Sequence, residues 1–263
     1  MSRKIICFPW IGEFGWEVFS WAPLLRSIKK SDPNITDMIC FTRPGREVFY
    51  KDFATVNNFT PCPCTPDMYH CFTDDIETLN KEIHHTVSPY LKEGYEPIVP
   101  ADYSQLVPNG NFIKFGLPSS DLHYDVLIHA RNRPHRPHDN WSQHKWEKLI
   151  QMNDWKVAAI GDPEQTFSIN GVDDHRGIPV ENLVDIMASS SVIIGPSSGP
   201  LHLATLCECP QVVWSDSEGT LSRYKGSWNP FNIHVKTLLN NDPNPEEVYD
   251  LYKEIKTPHF TTS

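Results

Sequence analysis

The sequence contains no apolar run approaching the ~18 residues of a membrane-spanning helix. Its 263 residues hold no internal repeat and no low-complexity tract. A helical membrane protein and a repeat architecture are thereby set aside. Positive charge is in short supply: 23 Lys and Arg stand against 33 Asp and Glu, a formal charge of −10. A global electrostatic grip on nucleic acid or on an anionic membrane is not expected, although a local basic patch stays open. Neither G-x-x-x-x-G-K-[ST] nor G-x-G-x-x-G occurs, which counts against P-loop ATP hydrolysis and classical NAD binding. There is no D-x-D either. The apolar part of Met1–Phe8 is too short for a signal peptide and reads as a first strand, so a cytoplasmic location is expected.

There are seven cysteines: Cys7, Cys40, Cys62, Cys64, Cys71, Cys207 and Cys209. An odd count without a signal peptide predicts reduced thiols. Cys62-Pro63-Cys64 with His70 and Cys71 suggests a metal knuckle, but its C-x-C spacing is not the usual C-x₂-C. No metal and no bound cofactor are expected. Cys207 and Cys209 end a helix and are expected to pack there.

What the sequence does have is alternation of strands and helices. Strands are predicted at Lys4–Phe8, Met38–Phe41, Ile98–Val99, Phe112–Phe115, Tyr124–His129, Val157–Ile160, Val192–Ile194, Gln211–Trp214 and Ile233–Val235. Helices are predicted at Trp16–Lys30, kinked or started late by Pro23, and at Ile76–Leu91, Trp141–Met152, Val180–Ser189 and Glu246–Lys256. A short helix is expected after Gly45. Such alternation predicts an α/β protein with parallel sheets. Gly116–Asp121 reads as a linker. Two Rossmann-like lobes follow, 1–120 and 121–263, with a ligand expected in a cleft between them.

The most informative stretch is Ser190–Leu206. Val192–Ile194 reads as a buried strand, stopped by Gly195 and Pro196. Ser197 or Ser198 can cap the next helix, Pro200 suits its first turn, and Gly199 allows close approach of a ligand. With Leu201 next in the turn, this predicts a helix N-terminus open to a phosphate or diphosphate, with His202 one turn in as a further donor.

Four other loops carry candidate chemistry. Gly12-Glu13-Phe14-Gly15-Trp16-Glu17 follows the first strand and holds two carboxylates among aromatic rings. Partial desolvation there would raise a carboxylate pKa and make a general base. His129-Ala130-Arg131-Asn132-Arg133-Pro134-His135-Arg136 follows another strand. Its guanidinium forks match a diphosphate or carboxylate. Gly161-Asp162-Pro163-Glu164 and the loop before Glu181 are placed to frame a base or ribose.

Ser197-Ser198-Gly199-Pro200-Leu201-His202-Leu203-Ala204 resembles the D-[ST]-G-x-x-H-[LI]-A signature of the ADP-heptose:lipopolysaccharide heptosyltransferase-like family. Cys209-Pro210-Gln211-Val212-Val213 is similar to the strand that follows it there. Gly15-Trp16-Glu17-Val18 through Pro23-Leu24-Leu25-Arg26 resembles the family's first loop and helix, and His129–Arg131 with Trp141–Ile150 resembles the start of its nucleotide-binding lobe. Ser197 stands where the family has Asp. The resemblance implies a GT-B-type glycosyltransferase. Glu17, six residues before Pro23, takes the place of the catalytic acidic residue, with Glu13 as the other candidate. Donor binding falls to His129, Arg131, Arg133, Gly161, Glu181, Ser197, Ser198, Gly199, Pro200, Leu201 and His202. The last helix is expected to cross back onto the first lobe. The Arg131 cluster also resembles the H-x-R loops of some fucosyltransferases, so the donor nucleotide stays open.

The expected function is an inverting, metal-independent glycosyltransferase that uses a nucleotide-sugar as substrate. Its acceptor is a glycan, lipid-linked or other hydroxyl, with nucleic acid left open. Alternatives are a sugar-nucleotide epimerase, a pyruvyl transferase, or a non-catalytic nucleotide-sugar or nucleic-acid binding module.

Overall fold

The computed structural model of the protein describes residues 2–61, 65–66, 71–72, 75–100, 110–134 and 136–256. The chain divides into two compact units, Met1–Phe112 and Ile113–Ser263.

The first unit opens with β1 (Arg3–Cys7). A continuous helix follows: α1 (Phe14–Trp16), a π turn (Glu17–Trp21) and α2 (Ala22–Ser31). Then come β2 (Ile35–Thr42), a 3-10 turn (Glu47–Phe49), β3 (Thr55–Asn58), β4 (Thr65–Pro66), β5 (Cys71–Phe72), α3 (Ile76–Lys92) and β6 (Glu96–Ile98). The main sheet has the order β3-β2-β1-β6, with every pair parallel. Ile6, Phe8, Ile39 and Phe41 pack with Leu79, Ile83 and Val87 of α3. Strand alternation turns Ile5, Cys7, Met38 and Cys40 to the other face, where they are also buried. Pro23 lies inside this continuous helix, directly after the π turn. The π turn is the irregularity that accompanies the proline.

The second unit contains a 3-10 turn (Ser120–Leu122), β7 (Val126–Ile128), a 3-10 turn (Pro137–Asp139), α4 (Gln143–Ile150), β8 (Val157–Ala159), β9 (Asp173–Asp174) and α5 (Val180–Ser189). It continues with β10 (Ile193–Pro196), α6 (Gly199–Leu206), β11 (Gln211–Ser215), α7 (Glu218–Lys225), β12 (Val235–Leu239) and α8 (Pro245–Lys256). The sheet order is β12-β11-β10-β7-β8-β9, all parallel. Alternate residues Val126, Ile128, Ile194, Val212 and Trp214 share a core with Trp141, Trp146, Val248 and Tyr252. Its centre is a tryptophan trio: Trp141 lies 4.8 Å from Trp146 and 5.0 Å from Trp214, ring to ring. Such large rings dominate the apolar area removed from water. The closing helix α8 packs against α4 and β12 in the second unit's core.

Two expectations change locally. Phe112–Phe115 joins no sheet; Phe115 N–H donates to Leu206 O at 2.8 Å. The stretch read as a linker is docked on α5: Leu117 N–H donates to Asp185 Oδ1 at 2.8 Å and Ser119 N–H to Ser189 Oγ at 2.9 Å. Gly116 has φ +82°, and a Cβ there would come within 2.1 Å of Val184 O, so only glycine fits this approach.

Candidate active site

In the second unit the chain runs from β7 outward through β8 and β9. It then returns to the other side of β7 for β10, β11 and β12. The loops that leave the carboxyl ends of β7 and β10 therefore diverge, which is where open α/β sheets bind ligands. His129 follows β7 and Ser198 follows β10, and His129 Nδ1 lies 2.9 Å from Ser198 Oγ. Two glycines make room for the imidazole. A Cβ at Gly161, which has φ +120°, would meet His129 Cδ2 at 2.9 Å, and one at Gly195 would meet His129 Cβ at 3.2 Å. Burial, then the guanidiniums of Arg131 and Arg133, pull the His129 pKa down to about 3. The ring is neutral at physiological pH.

Ser198 occupies the N-cap position of α6, but its side chain makes no capping bond. Its hydroxyl goes to His129 instead, which leaves the first turn of the helix without a side-chain cap. Such a terminus attracts anions. Pro200 and Leu201 in that turn are buried, while Ser197, Ser198 and Gly199 are half-buried. Tyr224 of α7 supports the turn: its hydroxyl takes the Ser198 N–H and the Ser197 O–H, each at 3.3 Å. His202 is half-buried. It stacks on Tyr224 at 5.0 Å and meets Trp228 edge-on at 4.5 Å. Burial, then Arg223, pulls its pKa down to about 3. His202 is thus a neutral ring in an aromatic stack and not a cationic donor.

The arginine loop is built inward. Buried Arg131 donates to Asp139 Oδ2 at 3.0 Å, and Arg136, in the left-handed region at φ 56°, reaches the same oxygen at 3.0 Å. The backbone of Arg133 is clasped by Asn140, whose Oδ1 accepts from Arg133 N at 3.1 Å while its Nδ2 donates to Arg133 O at 2.7 Å. His135 lies outside the described residues. Two guanidiniums share one buried carboxylate, and that of Arg133 acts on His129, which leaves this edge positive inside an acidic protein. Gly177 N–H donates to Gly161 O at 2.8 Å and joins the two loops expected to frame a ribose. Glu181 is exposed in the first turn of α5.

Gly195-Pro196-Ser197-Ser198-Gly199 also satisfies the G-x-S-x-G spacing of a nucleophile elbow between strand and helix. The geometry does not support that chemistry. The central Ser197 bonds Tyr224, and His129, which bonds Ser198 instead, is too weak a base near pKa 3.

In the first unit the two carboxylates have different surroundings. The loop after β1 is rigid: Trp10 Nε1 donates to Glu13 O at 2.9 Å, and a Cβ at Gly12 would strike the Trp10 ring at 2.7 Å. This fixes Glu13 at the N-cap position of α1, partly exposed and with no side-chain capping bond. Glu17, in contrast, is wholly buried in the π turn. Its Oε1 accepts from Tyr50 OH at 2.8 Å and Thr42 Oγ1 at 3.1 Å, and its Oε2 pairs with Arg46. The Arg46 guanidinium also lies over Phe14, 5.1 Å from the ring centre. Glu17 therefore binds the loop after β2 to the first helix.

Among the described residues, no group of three or more His, Cys, Asp or Glu could hold a metal ion, and no helix is long and apolar enough to cross a membrane. Cys62, Cys64 and His70 of the expected knuckle lie outside those residues, and of Cys71 only the backbone is described. Cys7, Cys40, Cys207 and Cys209 are buried free thiols.

No family model matches the chain, and no curated protein matches it in sequence. Solved structures do match in shape. Escherichia coli ADP-heptose lipopolysaccharide heptosyltransferase II has a TM-score of 0.60 at 11% identity, covering 97% of this chain and 98% of that one. A glycosyl transferase family 9 protein of Veillonella parvula DSM 2008 has 0.58 at 13%, covering 97% and 98%. E. coli heptosyltransferase WaaC, solved with ADP, has 0.57 at 10%, covering 95% and 99%. The fold is that of the GT-B glycosyltransferases. At these identities the likeness is one of architecture, and the GT-B fold hosts the chemistry that its sites provide.

Proposed function

We infer that the protein is a glycosyltransferase moving a sugar from a nucleotide-sugar donor to an acceptor hydroxyl, with inversion and without a metal ion. The observation that carries this reading is the His129–Ser198 bond at the switch point of the six-stranded sheet. It turns the N-cap serine away from its helix and leaves the first turn of α6 to an anion. A donor diphosphate suits that turn, in the field of Arg131, Arg133 and Arg136. The fold agrees, since WaaC, solved with ADP, shares it.

In this mechanism the α6 turn holds the donor diphosphate and a carboxylate of the loop after β1 is the base. Glu13 takes the proton of the acceptor hydroxyl. The freed oxygen attacks the anomeric carbon from the face opposite the diphosphate. The bond from that carbon to the leaving oxygen breaks with its electron pair, and the nucleoside diphosphate departs. The helix terminus and the arginines stabilise the growing charge, the task a metal performs elsewhere. Glu13 is preferred over Glu17 on geometry, because a base must reach the proton it removes. The wholly buried Glu17 offers no exposed oxygen. The acceptor class is a glycan, a lipid-linked sugar or another hydroxyl compound, and the proposed compartment is the cytoplasm.

Incubation with nucleotide-sugars and an acceptor panel, followed by NMR of the product anomer, tests the reading. A product of inverted anomeric configuration with release of nucleoside diphosphate is expected. A retained configuration contradicts the mechanism, and turnover without sugar transfer contradicts the reaction class.

A further inference from the structure

Tyr224 has no counterpart in the sequence motifs, yet it touches the proposed diphosphate turn at two points. Its ring is fully buried, stacked on His202 at 5.0 Å with an interplanar angle of 9° and set edge-on to Trp228 at 5.5 Å. Trp228 is in turn covered by the Arg223 guanidinium at 4.4 Å. These contacts from both sides leave the ring one orientation. Its hydroxyl then receives the Ser198 N–H and the Ser197 O–H, each at 3.3 Å. Ser197 N–H meanwhile donates to Trp214 O at 2.9 Å, and Ser198 Oγ meets His129.

The turn between β10 and α6 is thus held at three points: by the neighbouring strand β11, by His129 and by Tyr224. The first two fix its two edges. Tyr224 reaches both serines from α7. The tyrosine is fully buried, so its hydroxyl does not face solvent.

We propose that Tyr224 is a positioning residue for the donor's diphosphate. It fixes the backbone of Ser197–Gly199 so that the α6 N-terminus meets the phosphates already ordered. This inference rests on the donor-site reading above and deepens it. A turn that is ordered before binding does not lose that freedom on binding, so the gain appears in affinity for the phosphates. Without the hydroxyl, Ser198 N–H and Ser197 O–H lose a shared acceptor and the turn samples other conformations.

The test uses Tyr224→Phe, which keeps the aromatic stack and removes one oxygen. Binding of ADP, GDP, UDP and the matching nucleosides is measured by calorimetry on the full chain, with thermal unfolding of each ligand-free protein alongside. The expected result is a loss of roughly tenfold in affinity for the diphosphate that binds the wild type. Nucleoside affinity stays unchanged. In transfer assays the donor KM rises with kcat and the acceptor KM little altered. A merely structural role would lower the unfolding temperature and weaken nucleoside and diphosphate alike. That outcome, or an unchanged diphosphate affinity, overturns the inference and leaves the donor site standing. Failure of the wild type to bind any of the three diphosphates overturns the donor-site reading and this inference with it.

Discussion

Ser198 Oγ lies 2.9 Å from His129 Nδ1 and so ties the ends of β10 and β7 together across the switch point of the second sheet. The pair is 69 residues apart in the chain. It turns the N-cap serine away from α6, which has no capping bond from that side chain.

The two first-loop carboxylates are expected to fail differently. Glu13→Gln keeps the fold and diphosphate binding and loses about 10²- to 10⁴-fold in turnover, the usual weight of a general base. Glu17→Gln leaves the Arg46 guanidinium beside an uncharged partner in a buried network. It costs about 3–5 kcal/mol of stability, as breaking a buried pair does. Thermal unfolding and initial rates on both variants decide the matter. A Glu17→Gln protein that unfolds like the wild type but has lost transfer would return the base to Glu17.

Spacing along the chain pointed to Glu17, but spacing could not show that this side chain is wholly buried. The segment Glu17–Trp21 is a π turn, which inserts a residue into the helical period. The distance from Glu17 to Pro23 therefore does not fix which way Glu17 points. The strand before α6 and the Pro-containing first turn of that helix were legible because both act locally, but Gly195 and Pro196, expected to stop the strand, lie within β10 and pair with Val213 and Trp214. The partnership of His129 with Ser198 was not legible, since only the crossover of the sheet brings the two together. The helix α7 was also silent: Leu221 and Tyr224 are its two buried side chains, and Gly219 weakens it. With α7 unseen, the tyrosine beneath the phosphate turn had no signal. His202 was visible as a motif residue, but its place in an aromatic stack depends on that same helix.

A pH dependence of stability follows from the buried His129 and the half-buried His202. Both His129 and His202 have pKa values pulled down to about 3, mainly by burial. The unfolded chain takes up protons near the ordinary histidine value of about 6.5. Between those limits the unfolded state binds more protons than the folded one, so stability falls as pH falls. The slope is about 1.4 kcal/mol per pH unit for each ring once its unfolded form is protonated. Denaturant unfolding at pH 7.5, 6.5, 5.5 and 4.5 should show the decline beginning near pH 6.5. A flat profile down to pH 4.5 would show that the two rings do not remain neutral in the fold.

Gly161→Ala probes the room left for His129. The new methyl would lie 2.8 Å from Thr166 Cγ2 and 2.9 Å from His129 Cδ2, at a backbone φ of +120°. Strain at such a position costs about 1–3 kcal/mol. A lower unfolding temperature together with weaker diphosphate binding is expected, because the displaced imidazole loosens its hold on Ser198. Wild-type stability and affinity in this variant would mean that the imidazole tolerates displacement.

The central claim is that the α6 N-terminus binds the diphosphate of a nucleotide-sugar. Calorimetric titration of the wild-type chain with ADP, GDP and UDP, each beside its unphosphorylated nucleoside, tests it most directly. The account expects one diphosphate to bind at least about tenfold more tightly than its nucleoside, with affinity falling as salt is added. Equal binding of diphosphate and nucleoside, or no binding of any diphosphate, would contradict it.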